Sequence, residues 1–154
     1  MLGNTLIAKN QRGAAMVETV IVAPLMLFLV LLTAEVTNAF VDHNTLSKAT
    51  RNGARYLAAN AALGTTGVVV LRPEVLTAAR NLVVYGNVAG SGNAVLDGLT
   101  TANVQILDLG GNNVQLTASY AYSGLLGGTL PSFGYGSDTG LAMNLQATVS
   151  MRAL

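Results

Sequence analysis

The stretch Ala14–Ala34, AAMVETVIVAPLMLFLVLLTA, decides how the rest of the chain is read. It is apolar apart from Glu18 and two threonines, and Glu35 follows it directly. As a helix it rises about 31 Å, close to the roughly 30 Å hydrocarbon thickness of a bilayer. The wholly uncharged part, Thr19–Ala34, covers only about 24 Å at the same rise. Glu18 must therefore sit at or inside the membrane edge, and the sequence predicts one transmembrane segment. Upstream, residues 1–13, MLGNTLIAKNQRG, carry Lys9 and Arg12 and read as a leader peptide. Downstream, Glu35–Leu63 keeps a helical rhythm, with Ala39, Leu46 and Gly53 in one row seven apart and Ala49, Tyr56 and Leu63 in another. No breaker separates the two stretches. The expectation is a single helix over 14–62, transmembrane over about 14–36 and amphipathic in water over about 37–62, ended by Gly64 and Gly67. Pro24 removes a backbone donor inside it and predicts a bend or local unwinding near Val20–Pro24.

Composition bounds the function. The chain has 154 residues, 10% of them charged against roughly 25% in an ordinary soluble domain, and a net charge of +1. Eight scattered Lys and Arg form no stripe that could track a phosphate backbone, which argues against nucleic acid as a partner. With no cysteine and His43 alone, thiol chemistry, thiolate metal sites, disulfides and most histidine chemistry are excluded. Titratable groups are too few and too dispersed to propose an active site. The reading is of a protein that is not an enzyme, with no cofactor and no small-molecule substrate.

Residues 63–154 change character to a small water-exposed module. Pro73 and Glu74 open a short helix whose face is marked by Leu76, Ala79, Arg80 and Val83, with Gly86 as its end cap. Residues 90–98 read as a loop. Thr101–Leu109, a Gly110–Asn113 turn and Val114–Tyr122 form a hairpin, with Val114, Leu116, Ala118, Tyr120 and Tyr122 on the buried face. After a glycine-rich loop over Gly124–Gly140, Leu141–Arg152 alternates cleanly and closes the chain as a strand. Val68–Leu71 is short enough to be strand or helix extension. The fold class is α+β: a long N-terminal helix, then a module with a short helix and an antiparallel sheet.

A carboxylate in the bilayer costs about 2.5–3.5 kcal/mol at the centre and less near the edge, so Glu18 calls for compensation. Snorkelling to the headgroups beside Arg12 is one answer. Cleavage after Gly13 offers another, because Ala14 would become a free amine one helical turn from Glu18. The run Arg12-Gly13-Ala14-Ala15-Met16-Val17-Glu18-Thr19-Val20-Ile21-Val22-Ala23-Pro24, with Ala49-Thr50-Arg51-Asn52-Gly53-Ala54-Arg55-Tyr56 downstream, resembles the TadE-like family. These are minor pilins, or pseudopilins, of the tight-adherence pilus system and relatives of type IV pilins. The closing Ala147–Arg152 strand also looks family-like, whereas residues 86–140 carry no resemblance, and Thr19 stands where the family often has an aromatic residue.

The resemblance implies a pilin-like fold and cleavage of the Gly13–Ala14 bond by a prepilin peptidase on the cytoplasmic face. It implies that Glu18 of an incoming subunit neutralises the Ala14 amine of a neighbour, that Pro24 lets the helix loosen on extraction from lipid, and that Ala39, Gly53 and Ala49 allow close helix packing. Packing onto the chain's own sheet accounts for those small residues equally. Lys48, Arg51 and Arg55 form a basic face that is either solvated or set against acidic groups of a neighbour, such as Glu35 or Asp42, or lipid phosphates. Their position leaves charge counting against Lys9 and Arg12 close to a tie. The resemblance places the N-terminus in the cytoplasm and the module in the periplasm, held in the inner membrane or displayed in an assembled pilus. Partners would be the peptidase, other pilins or assembly proteins, and further copies of the chain.

His43 and Asp42 point about 100° apart on a helix and make no catalytic pair. Asp97, Asp108 and Asp138 lack the spacing of a calcium loop. Tyr120, Tyr122, Phe133 and Tyr135 form either core or an adhesive patch. Three functions therefore compete: a minor pilin acting as a structural subunit for surface adhesion; a single-pass anchored scaffold or adhesin that never polymerises; and a secreted protein whose signal region, Val20–Leu32, is cut near Ala39. A mature N-terminus at Ala14, Met1 or Phe40 separates them.

Overall fold

The computed structural model describes residues 4–62, 69–124, 127–130, 136–140 and 142–153, and of these the side chains from Gly13 onward except Leu130 and Thr139. The chain divides into two compact units, Met1–Thr37 and Asn38–Leu154. The expected helix-ending glycines Gly64 and Gly67, as well as Leu63, Phe133, Tyr135 and Leu141, lie outside the described residues.

Helix α1 runs over Asn4–Asn60 without interruption. It begins well before Ala14, where the sequence reading starts it, because residues 4–13 contain no proline and one glycine does not stop a helix. The unwinding expected around Val20–Pro24 is also absent: every residue there is helical. Proline removes only its own N–H, and the neighbouring turns retain theirs. In the first unit most of the described apolar side chains face outward. Met16, Val20, Ile21, Leu27 and Val30 are each about two-thirds or more exposed. An 18-residue stretch of α1 has a mean hydropathy of 2.5 and none of it is buried within the protein, so α1 is long and apolar enough to cross a membrane. The two threonines of the apolar stretch are satisfied within the helix: Thr19 Oγ1 donates to the Ala15 carbonyl at 2.8 Å and Thr33 Oγ1 to the Leu29 carbonyl at 2.8 Å.

The second unit is built on the sheet β1 (Val104–Gly110), β2 (Asn113–Tyr122) and β5 (Met143–Arg152), antiparallel in the order β1-β2-β5. Its inner face is the predicted one: Val114, Leu116, Ala118, Tyr120 and Tyr122 are all buried, and Ala147 joins them from β5. Tyr120 and Tyr122 are therefore core. The hairpin closes through Gly111 (φ 58°) and Asn112 (φ 64°), two consecutive left-handed residues whose twist matches that of the flanking strands. β1 starts three residues later than the sequence predicts. Thr101–Asn103 is a 3₁₀ turn, held by the Thr100 N–H donating to Asn103 Oδ1 at 3.0 Å, which diverts these residues from the ladder.

Helix α2 (Pro73–Tyr85) opens on Pro73 and ends on Gly86, whose φ of 72° forms the left-handed cap. It buries Val75, Ala79, Val83 and Val84. Val69 bridges to Ala62, a single bridge and not a strand. The loop after α2 is pinned by Leu96 and Leu99, both buried, and by the Val95 N–H donating to the Val84 carbonyl at 2.7 Å. Within the expected 124–140 loop a two-residue ladder forms, β3 (Thr129–Leu130) against β4 (Thr139–Gly140). From α1, Ala39, Leu46, Ala49, Ala54, Leu57, Ala58 and Ala61 enter the core with the sheet and α2.

Candidate assembly site

Gly13, Ala14, Glu18 and Pro24 all stand exposed on α1. Ala14 and Glu18 are four residues apart and so share one face of the helix. The Gly13–Ala14 bond lies within helical backbone, and a Cβ on Gly13 would meet nothing within 4 Å, so the surroundings leave this bond unobstructed. Glycine makes the same turn easier to open, by roughly 0.5–1 kcal/mol relative to alanine. Glu18 lines a shallow depression with Thr19, Val22, Ala23 and Met26, an apolar setting for a carboxylate. Among the described residues the one ion pair is Arg72–Glu74, at 3.6 Å, so Glu18 has no cationic partner there.

The small residues of the amphipathic half are used internally. Ala39, Leu46 and Ala49 are buried in the core cluster, and Tyr56 packs against it. Gly53 explains its own identity: a Cβ there would lie 2.5 Å from Val83 Cγ2 and 3.1 Å from the Ala79 carbonyl. The glycine is what lets α1 and α2 approach. These positions therefore pack the chain's own module, the second of the two explanations the sequence left open. Lys48, Arg51 and Arg55 are exposed. Glu35 is 2% exposed, so it presents no acidic surface to a neighbour's cations.

Two arrangements escape sequence reading. Arg152, from the last strand, lines a groove of about 580 Å³ together with Arg55, Tyr56, Leu82 and Met151. Arg80, read as one position on a helix face, has its Nε buried with no hydrogen-bond partner among the described residues. Neither was accessible to motif spacing, because each joins residues far apart in sequence.

Residues 13–55 match the family model of TadE-like protein. The TadE-like segment thus begins at the Gly13–Ala14 bond, contains Glu18 and Pro24, and ends at the basic ridge of α1. It bears out the resemblance drawn from residues 12–24 and 49–56 over that part of the chain. The closing strand lies beyond it. No curated protein and no solved structure matches the chain.

Proposed function

We propose that the protein is a minor pilin or pseudopilin of a tight-adherence pilus. In this reading it is a structural subunit without catalytic activity, freed from its leader at Gly13 by a prepilin peptidase and assembled through its N-terminal helix into, or at the base of, the filament. The N-terminus faces the cytoplasm and residues 38–154 the periplasm. The observation that carries this reading is Glu18: an exposed carboxylate in an apolar depression of a membrane-length helix, one turn from Ala14 and inside the TadE-like segment. An acid held there is costly until an amine neutralises it, and in a low-dielectric medium that attraction is strong enough to set the register between subunits.

The test is N-terminal sequencing of the native protein together with a Glu18→Gln variant. The expected results are a chain starting at Ala14, and a variant that is cleaved normally yet absent from sheared fibres. A native chain still starting at Met1, or unchanged fibre incorporation of Glu18→Gln, overturns the proposal. The burial of Ala39, Leu46 and Ala49 in the module's own core favours the second reading, a membrane-anchored periplasmic scaffold that never polymerises. Under it Glu18→Gln leaves piliation as in the wild type.

A further inference from the structure

β1 is one edge of the three-stranded sheet, and β2 satisfies only the backbone groups on one of its sides. In an antiparallel ladder alternate N–H and C=O groups point away from the partner strand, so β1 presents a row of donors and acceptors along its outer edge. Among the described residues no backbone group of another element takes them. A groove of about 460 Å³ follows this edge, lined by Thr101, Gln105, Ile106 and Leu107, with Arg80 from α2 beside them. The Arg80 Nε is buried and unpartnered among the described residues. Leu107 is 52% exposed, on the sheet face that bears Gln115, Thr117, Thr148 and Ser150. The register slip between Asp108 and Gly110 ends the regular ladder, so the open stretch runs over Val104–Leu107.

We propose that the β1 edge is a strand-addition site for an extended segment of a partner protein, and that a carboxylate side chain on that segment meets Arg80. Main-chain bonds to an open edge give affinity without sequence preference, and alternate side chains entering a flanking groove give selectivity. The charged side chain selects the ligand: Arg80 lines the groove, and a carboxylate is the best complement of a guanidinium. A second copy adding through either of its own edges does not supply that group: β5, MNLQATVSMR, contains no acid, and the one acid of β1, Asp108, already accepts the Gly110 N–H at 2.8 Å. This site is separate from Glu18 and does not rest on the assembly reading.

The probe is a fluorescent, terminally capped hexapeptide of alternating valine and threonine with one central aspartate, titrated by anisotropy into the full-length protein in detergent micelles. Two controls replace the aspartate with asparagine or methylate the backbone nitrogens along one edge. The aspartate peptide is expected to bind at least tenfold more tightly than the asparagine peptide, and the methylated peptide not at all. Amide exchange over Val104–Leu107 should slow on binding, and Arg80→Gln should abolish the preference for aspartate. If that variant fails to fold, judged by circular dichroism, the two peptide comparisons and the exchange pattern on the wild type still decide. Equal affinity for aspartate and asparagine, binding of the methylated peptide, or no binding at millimolar peptide overturns the proposal. So does protection of β1 and β5 together without peptide, which would make a second copy the occupant.

Discussion

At Gly53 the missing side chain is a packing requirement. Alanine there gains about 0.5–1 kcal/mol of helix propensity. Against this, a methyl set 2.5 Å from Val83 Cγ2 and 3.1 Å from a carbonyl overpacks the joint, at about 1–3 kcal/mol. Gly53→Ala is therefore expected to lower the module's stability by on the order of 1 kcal/mol, read as a lower urea midpoint at unchanged slope. A gain in stability would refute the close approach. Tyr120 offers a second test at this scale. Burial pushes its phenol above the ordinary value of 10.0, the nearby Asp42 charge adds to this, a hydrogen bond with Ser123 opposes it, and Asp97 raises it further. The folded protein thus favours the protonated phenol. Its contribution is complete below the unfolded value and is lost as pH rises through the folded one. Stability should fall above about pH 10, and less steeply in Tyr120→Phe. Parallel urea midpoints for the two proteins across the alkaline range would sink this account.

Among the elements, what was legible in the sequence follows its periodicity. The inner face of β2 was readable because a two-residue alternation with one buried side is a strong pattern, and α2 because Pro73 and Gly86 occupy positions that backbone geometry reserves for them. The 3₁₀ turn at Thr101–Asn103 was not legible, since it depends on one side chain capping one amide. Nor were the β3–β4 ladder and the Arg80 groove, which arise from tertiary proximity with no local signature. Of the candidate site, Glu18 and Gly13 stood out as chemical anomalies in an apolar run. The destination of Ala39, Ala49 and Gly53 did not, because small residues serve an internal and an external interface equally well. The hairpin turn provides the test here. Asn112 holds φ at 64°, and its carbonyl accepts the Ala153 N–H at 2.7 Å, tying the end of β5 to the turn. A β-branched residue is strained there by about 1–2 kcal/mol. Asn112→Val should lower the urea midpoint accordingly and speed amide exchange at Ala153, while Asn112→Gly should do neither.

On the scale of the molecule, the chain depends on two different solvents. Among its described residues the first unit has no core of its own, for most of their apolar side chains point outward and the backbone bonds are made within one helix. Lipid or detergent satisfies such a surface, and there a helix persists because unfolding it would expose backbone groups to hydrocarbon. The second unit is stabilised by burial, with Leu46, Leu57, Val83, Val84 and Leu116 sealed from water at its centre. The two are therefore expected to respond differently to loss of core packing. Leu57→Ala removes a side chain with 0% exposure, at about 2–5 kcal/mol. For a domain of this size that lowers the module's Tm by roughly 10 °C or more. The helical circular dichroism of the span in micelles should survive that transition unchanged, leaving a residual signal of constant size above the melt in both proteins. If the whole helical signal instead disappears in one step that moves with Leu57→Ala, the span is held by the module's core and not by its lipid-facing surface.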